Sequence, residues 1–285
     1  MKKTAIIADT TCDLSVELKE KYQIKTFPLH IHLGEKEYSD GMDISPDDIY
    51  RWSDENNATP KTSAISPAEA QEVVQEALQS AESVICFTIS DQMSSTGNVM
   101  RMAARELEVE DRVFVVDSKS LSTGIGLQII EAAILAEQGM AAEKIVEIIV
   151  AIQSRVRASF VVDTLTYLHR GGRCSGLAAL AGSALRLHPL IAVVDGKMLP
   201  GKKYRGKMDH VIKEYVKDMK EELQRAKPDR VFITHSGCED EIIEAVKAEV
   251  RALGHFREIL VTRAGSVITS HCGPGTLGVL FIAGE

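Results

Sequence analysis

The side chains of this sequence best placed to do chemistry are hydroxyls and cations gathered in loops. Ser90, Ser94, Ser95 and Thr96 fill the segment between an apolar run at 84–89 and a helical pattern through Met100, Ala103 and Leu107. That order predicts strand, loop, helix. Hydroxyls at a helix start sit beside unpaired N–H groups and the positive end of the helix dipole, so they can cap the helix or hold an anion. A second such loop, 60–67, contains Thr62, Ser63 and Ser66. Ser66 and Glu69 form a capping box around Pro67, which leaves Thr62 and Ser63 for other work. Later in the chain Arg173 follows two glycines, Arg205 lies in the basic spot 204–207, and His271 precedes Cys272-Gly273-Pro274-Gly275. Together these groups suit holding a carboxylate or a phosphate rather than attacking one.

The familiar catalytic patterns fail on context. Gly273-Pro274-Gly275-Thr276-Leu277-Gly278 spells a dinucleotide fingerprint, yet too few residues follow it for a helix, a strand and a ribose-binding acid. Gly196-Lys197 is followed by Met198 and makes no phosphate loop, and Gly172-Arg173-Cys174-Ser175-Gly176 misplaces the serine of a nucleophile elbow by one position. His30 and His32 share one face of a strand. With no third ligand in sight they read as a solvent-facing pair on an edge strand, and no metal site is expected. An acyl hydrolase or transferase using His271 with Cys12 or Cys174 is the enzymatic alternative.

The elements that would carry these loops alternate strand and helix. Strands are expected at 4–8, 24–33, 84–89 and 112–116, with helices at 15–22, 68–80 and from Thr96 to Leu107. Asp9-Thr10, Ser90 and Asp117-Ser118 would then lie along the carboxyl edge of one sheet, where ligands of open α/β sheets collect. A helical region at 121–155, broken at Gly139, closes a first lobe, 1–157. A second, 158–285, holds a strand at 158–162, a small-residue helix at 177–185, a hairpin turning at Asp195-Gly196, a long helix at 207–226, and strands at 230–234, 258–262 and the C-terminus. The fold class is α/β in two lobes, each a mainly parallel sheet flanked by helices, with the ligand between them.

The 285 residues carry 33 basic and 41 acidic side chains, a net charge of -8, which argues against general binding to nucleic acid. No apolar run reaches the length of a membrane span, and Met1-Lys2-Lys3 leads straight into a strand, so no signal peptide is expected. Five scattered cysteines without a CxxC pair fit a reduced, cytoplasmic setting.

The segments Ala-Asp-Thr-Thr-Cys-Asp-Leu (8–14), Pro-Lys-Thr-Ser-Ala-Ile-Ser (60–66), Ile-Ser-Asp-Gln-Met-Ser-Ser-Thr (89–96), Val-Val-Asp-Ser-Lys-Ser-Leu-Ser-Thr-Gly (115–124), Tyr-Leu-His-Arg-Gly-Gly-Arg (167–173) and Ser-His-Cys-Gly-Pro-Gly (270–275) resemble the DegV family in order and spacing. The resemblance runs nearly end to end. It implies a long-chain fatty acid bound between the lobes and, by likeness to the FakB subunits of bacterial fatty acid kinase, a carrier that is not itself an enzyme and presents the carboxylate to a FakA-like kinase subunit. It implies no cofactor other than the bound lipid, and transient membrane contact is compatible with such a ligand. The alternative within the same family is a lipid or carboxylate sensor without a kinase. By the resemblance Thr62 and Ser94 bond the carboxylate, with Ser63, Ser95 and Thr96 in the same loops. His271 and Arg205 are its basic residues near the head group, and Arg173 gives support. The small residues Ala178, Ala179, Ala181, Gly182 and Ala184 are candidates to line the tail's tunnel. Met93-Ser94-Ser95-Thr96-Gly97 departs from the family's usual Leu-Ser-Gly-Thr-Tyr at Ser95 and Gly97.

Overall fold

Ile6, Ala8, Val84, Ile85 and Phe87 are buried, as strands covered on both faces require. In a computed structural model, which describes residues 2–174, 187–253 and 255–284, these residues lie in a parallel four-stranded sheet. β1 (Lys2–Asp9) runs through a 3₁₀ turn, Thr10–Cys12, and α1 (Val16–Lys21) into β2 (Lys25–Phe27). A three-stranded layer follows, built from β3 (His30–Leu33), β4 (Lys36–Ser39) and, after α2 (Pro46–Asn56), β5 (Lys61–Ser63). The chain returns through α3 (Pro67–Ser80), β6 (Ala81–Thr88), α4 (Thr96–Glu106) and β7 (Val113–Asp117), giving the sheet order β2-β1-β6-β7. The expected capped start forms, Ser66 with Glu69 opening α3, and Ser45 with Asp48 opens α2 in the same way, each with a proline in the first turn.

The expected strand 24–33 is two strands. Pro28 has no N–H to give to a ladder, so β2 ends at Phe27 and the chain leaves the parallel sheet. β3 becomes the centre of the smaller sheet, paired with β4 and β5. His30 is therefore buried and bonds Glu69 at 3.0 Å, while His32 bonds the Ser63 hydroxyl at 3.0 Å. The solvent-facing edge pair is thus corrected to a central-strand pair with protein partners. Among the described residues no cluster suited to a metal ion forms.

α5 (Thr123–Glu137) and α6 (Ala142–Ile152) lead to the second sheet. Ile125, Leu127, Ile129 and Ile130 are each 0% exposed, so α5 is apolar all round, as a helix enclosed on every side must be. It packs on β1 of the first sheet and on β8 and β13 of the second. One apolar cluster accordingly runs from Ile6 and Phe87 through α5 to Phe160 and Leu280.

The second lobe contains β8 (Val156–Val161), α7 (Thr166–Gly171), β9 (Leu187–Val194), β10 (Lys197–Arg205), α8 (Met208–Asp218), α9 (Lys220–Gln224), β11 (Ala226–Ser236), α10 (Asp240–Ala252), β12 (Glu258–Arg263), α11 (Ser266–Cys272) and β13 (Thr276–Ala283). Its sheet order is β10-β9-β8-β13-β11-β12. The α/β class holds, but this sheet is not mainly parallel: only β11 and β12 pair in parallel, and the other neighbours are antiparallel. Two features produce this, one local and one long-range. The Asp195-Gly196 turn reverses the chain between β9 and β10, and β13 enters antiparallel between β8 and β11. The helix expected at 177–185 lies outside the described residues.

The lobes are joined by polar contacts that converge on the start of α11. Asp13 accepts from Gly265 N at 2.8 Å and from Ser122 Oγ at 2.5 Å, and Asp40 accepts from Ser266 N at 2.8 Å. Tyr50 donates to the Ser236 carbonyl at 2.8 Å, and Arg263 pairs with Asp47. Burial pushes the Asp13 carboxyl up to about 8, with the Asp40 and Asp9 charges acting in the same direction, and pushes Asp9 up to about 6. An acid whose folded pKa is raised favours folding while protonated, and that contribution is lost as pH rises from its unfolded value near 3.8 toward about 8. Urea midpoints measured from pH 4 to 8 should therefore fall with rising pH, by roughly 1 kcal/mol per unit for one such proton. In Asp13→Asn, whose amide can serve both partners without charge, the slope should flatten. An unchanged slope in the variant would show that Asp13 is already ionised in the fold.

Candidate ligand-binding site

Thr62, Ser94 and His271 come from three separate elements and meet at one cavity of about 240 Å³. Thr62 is the middle residue of β5, paired with Ile31. Because side chains alternate along a strand, Thr62 faces opposite to Ser63, whose hydroxyl is held by His32. Ser94 sits in the turn between β6 and α4, where its backbone N–H bonds Ser90 O at 3.1 Å. Its hydroxyl pairs with Thr96 Oγ1 at 2.9 Å and accepts from Thr96 N at 3.3 Å. Ser95, the cap residue of α4, makes no side-chain capping bond, so Ser94 supplies the hydroxyl at this helix start.

His271 lies in the last turn of α11. Its Nε2 and Thr62 Oγ1 share a hydrogen bond of 2.8 Å across the lobe boundary. Burial, reinforced by the Arg173 charge, lowers its pKa to about 4. The imidazole is neutral at pH 7, which corrects the expectation of a basic residue there. Its Nδ1 is buried, has no hydrogen-bond partner among the described residues, and lies against Gly171. An unpaired buried donor is costly, so the proton belongs on Nε2, from which it is donated to Thr62.

Leu29, Ile89, Met93, Leu121, Met198 and Ile268 supply apolar wall, and Ser63, Ser95 and Arg173 complete the polar rim. Ser95 and Arg173 are exposed, so the polar end opens to solvent. Behind it, Leu121, Ile268 and Cys272 also border a second, largely apolar space of about 30 Å³ reaching Phe160 and Leu280. The lining therefore grades from hydroxyls at the mouth to hydrocarbon inside.

Of the residues singled out from sequence, Thr62, Ser63, Ser94, Ser95, Arg173 and His271 line this cavity. Thr96 does not; it is fully buried behind Ser94 and bonds it. Arg205 ends β10, exposed, and is not a lining residue. Arg173 donates to the Gly171 carbonyl at 2.6 Å, which steadies the chain against which His271 rests. Met198 and Leu121 escaped sequence reasoning, since single apolar residues in a hairpin and a loop carry no periodic signal. Gly171 was quoted only as part of a motif, although the contact with His271 requires it.

The two departures in the hydroxyl loop are absorbed locally. Ser95 has φ -83 and ψ 0, a conformation open to any L residue, so no glycine is needed. A Cβ on Gly97 would stand 2.2 Å from Asp91 Oδ1, because the Asp91–Arg101 ion pair, 2.6 Å apart, fills that space. The cysteines give no nucleophile: burial pushes Cys12 and Cys272 up to about 12 and Cys174 to about 11. An imidazole with a pKa near 4 is too weak a base to deprotonate them.

A family model described as "Uncharacterised protein, DegV family" matches residues 3–284. A DegV domain-containing protein of Deinococcus radiodurans is 32% identical over 280 residues, covering 96% of each chain. Among solved structures, a DegV family protein from Thermus thermophilus described by its fatty acid binding superposes with a TM-score of 0.91 at 32% identity, covering 99% of both chains. A stearic-acid-binding protein of Eubacterium ventriosum superposes with a TM-score of 0.84 at 28% identity, covering 99% of this chain and 98% of that one.

A Cβ at Gly171 would stand 2.4 Å from His271 Nδ1. Gly171→Ala should therefore push the ring off Thr62, raise the imidazole pKa toward its ordinary value and cost about 1–3 kcal/mol in stability through overpacking. Histidine titration by NMR on the variant checks this, and a His271 pKa left near 4 would contradict the contact.

Proposed function

Because this chain belongs to the DegV family, we propose that it binds a long-chain fatty acid with the carboxylate among Thr62, Ser94 and His271. The observation that carries the reading is the convergence of these groups on one cavity whose inner wall is apolar. With its proton on Nε2, His271 donates to Thr62 Oγ1, which leaves the Thr62 hydroxyl hydrogen for a carboxylate oxygen. Ser94 offers the second hydroxyl. Arg173 supplies positive charge at the rim, and the first turn of α4 adds its dipole. Each charge-assisted bond contributes about 1.5–3 kcal/mol, whereas a buried methylene gains about 0.8 kcal/mol, so a tail of about sixteen carbons dominates affinity. The head-group contacts then set orientation more than strength.

The role proposed for the complex is to present the carboxylate to a separate ATP-using kinase subunit that forms an acyl phosphate. What supports it is the open polar mouth beside exposed Ser95 and Arg173. In this reading the chain is a carrier and catalysis belongs to the partner. Arg205, exposed and away from the cavity, is assigned to the encounter with that subunit.

Mass spectrometry of the small molecule released on denaturing the purified protein should find a long-chain fatty acid. Thr62→Ala and Ser94→Ala should each weaken retention about tenfold or more, as the loss of one such bond implies. His271→Ala and Arg205→Ala should chiefly reduce acyl phosphate formation with a cognate kinase subunit. Full lipid retention in the Thr62/Ser94 double variant contradicts the head-group site. Lipid retained without acyl phosphate from any cognate subunit favours a sensor over a carrier.

A further inference from the structure

The tip of the β9–β10 hairpin reaches from the second lobe onto the loop that carries Ser94. Asp195 and Gly196 both hold left-handed backbone, at φ 48 and 79, the pairing of a tight hairpin turn. Gly196 O accepts from Ser90 Oγ at 2.8 Å, a contact 106 residues apart in sequence. The approach admits no side chain, since a Cβ on Gly196 would stand 2.4 Å from Ser90 Oγ.

Ser90 is fully buried and every polar group it has is in use. Its N–H donates to Ser120 O at 3.0 Å, and its carbonyl accepts from Met93 N at 2.8 Å and Ser94 N at 3.1 Å. Its hydroxyl also accepts from Gln92 N at 3.2 Å. Ser90 is thus the residue on which the Ser94 turn is wound and the residue the hairpin bonds. Two residues beyond the turn, Met198 is buried, pairs with Cys174 and lines the same cavity. The tip also borders an open cleft of about 700 Å³, lined by Ser120, Val150, Val194 and Asp195. The tip is thus fastened at Ser90 and flanked by open space.

We infer that Gly196 and Ser90 are positioning residues: the hairpin tip, seated on Ser90, sets the Ser94 hydroxyl for the carboxylate. Seating the tip and orienting the head group are then one event. The inference rests on the fatty-acid reading proposed above and adds to it how that site closes.

The test uses the full-length protein, stripped of lipid, with hexadecanoate and hexadecanol as probes of equal chain length. Ser90→Ala removes the donor without adding bulk, and Gly196→Ala forces the tip away. Each should cut the preference for acid over alcohol about tenfold, the loss expected for one mispositioned bond, and raise the hexadecanoate off-rate by a similar factor. Hexadecanol affinity should stay within about twofold. Preference and off-rate both kept in the two variants would overturn the inference. So would equal weakening of both probes, the mark of a merely structural role. A wild-type protein that binds neither probe, or binds both alike, overturns the head-group assignment and this inference with it, and no variant is needed to see it.

Discussion

Two buried carboxylates of the first lobe fix the helix on which the site of the second lobe depends. α11 has seven residues, too few to persist by itself. Asp13 and Asp40 accept from Gly265 and Ser266 at its start, where the helix has unpaired donors and a positive dipole end. At its other end Gly273 turns the chain at φ 74 against Tyr167. Held at both ends, α11 presents His271 to Thr62. The arrangement is expensive, since burial raises the pKa of both acids, yet it makes the site a property of the two lobes together.

The same burial decides what kind of anion the site suits. A charged imidazole would bind a carboxylate as an ion pair, but the cost of desolvation keeps His271 neutral. What the cavity offers instead is hydroxyls, that of Thr62 oriented by the neutral imidazole, and, at the exposed rim, the Arg173 guanidinium. Neutral donors hold an anion less firmly than a buried ion pair. For a ligand of the kind proposed, whose affinity comes from its hydrocarbon, that weakness is useful: the head group is oriented without being trapped.

Local rules made much of this architecture legible in the sequence. The Ser66–Glu69 capping box, the Asp195-Gly196 turn and the helix after Ser94 each follow from chemistry confined to a few neighbours, and each formed as read. Thr62 could be separated from capping duty for the same reason. The features that were missed are set by distant partners. β13 was legible as a strand, but its place between β8 and β11 depends on partners far off in sequence, those of β8 more than a hundred positions away. His30 looked solvent-facing because alternation reports a face but not which face another strand and Glu69 will cover. Thr96 and Arg205 share composition with true lining residues; one is turned inward behind Ser94, and the other stands beyond the cavity.

The two kinds of joint between the lobes differ in what separating them would cost. Along α5 the seam is hydrocarbon, with Ile125, Leu127 and Ile129 fully buried between the sheets, and parting it would expose apolar surface at about 25 cal/mol per Å². At the hairpin tip the polar part of the joint is one hydroxyl on one carbonyl, and both groups can bond water when apart, so losing that bond costs only about 1 kcal/mol net, with buried Met198 as the apolar contact beside it. The hairpin tip is therefore the more easily parted of these two joints. Met198, carried by that hairpin, lines the cavity, so the hairpin joins the site to the more weakly fastened seam.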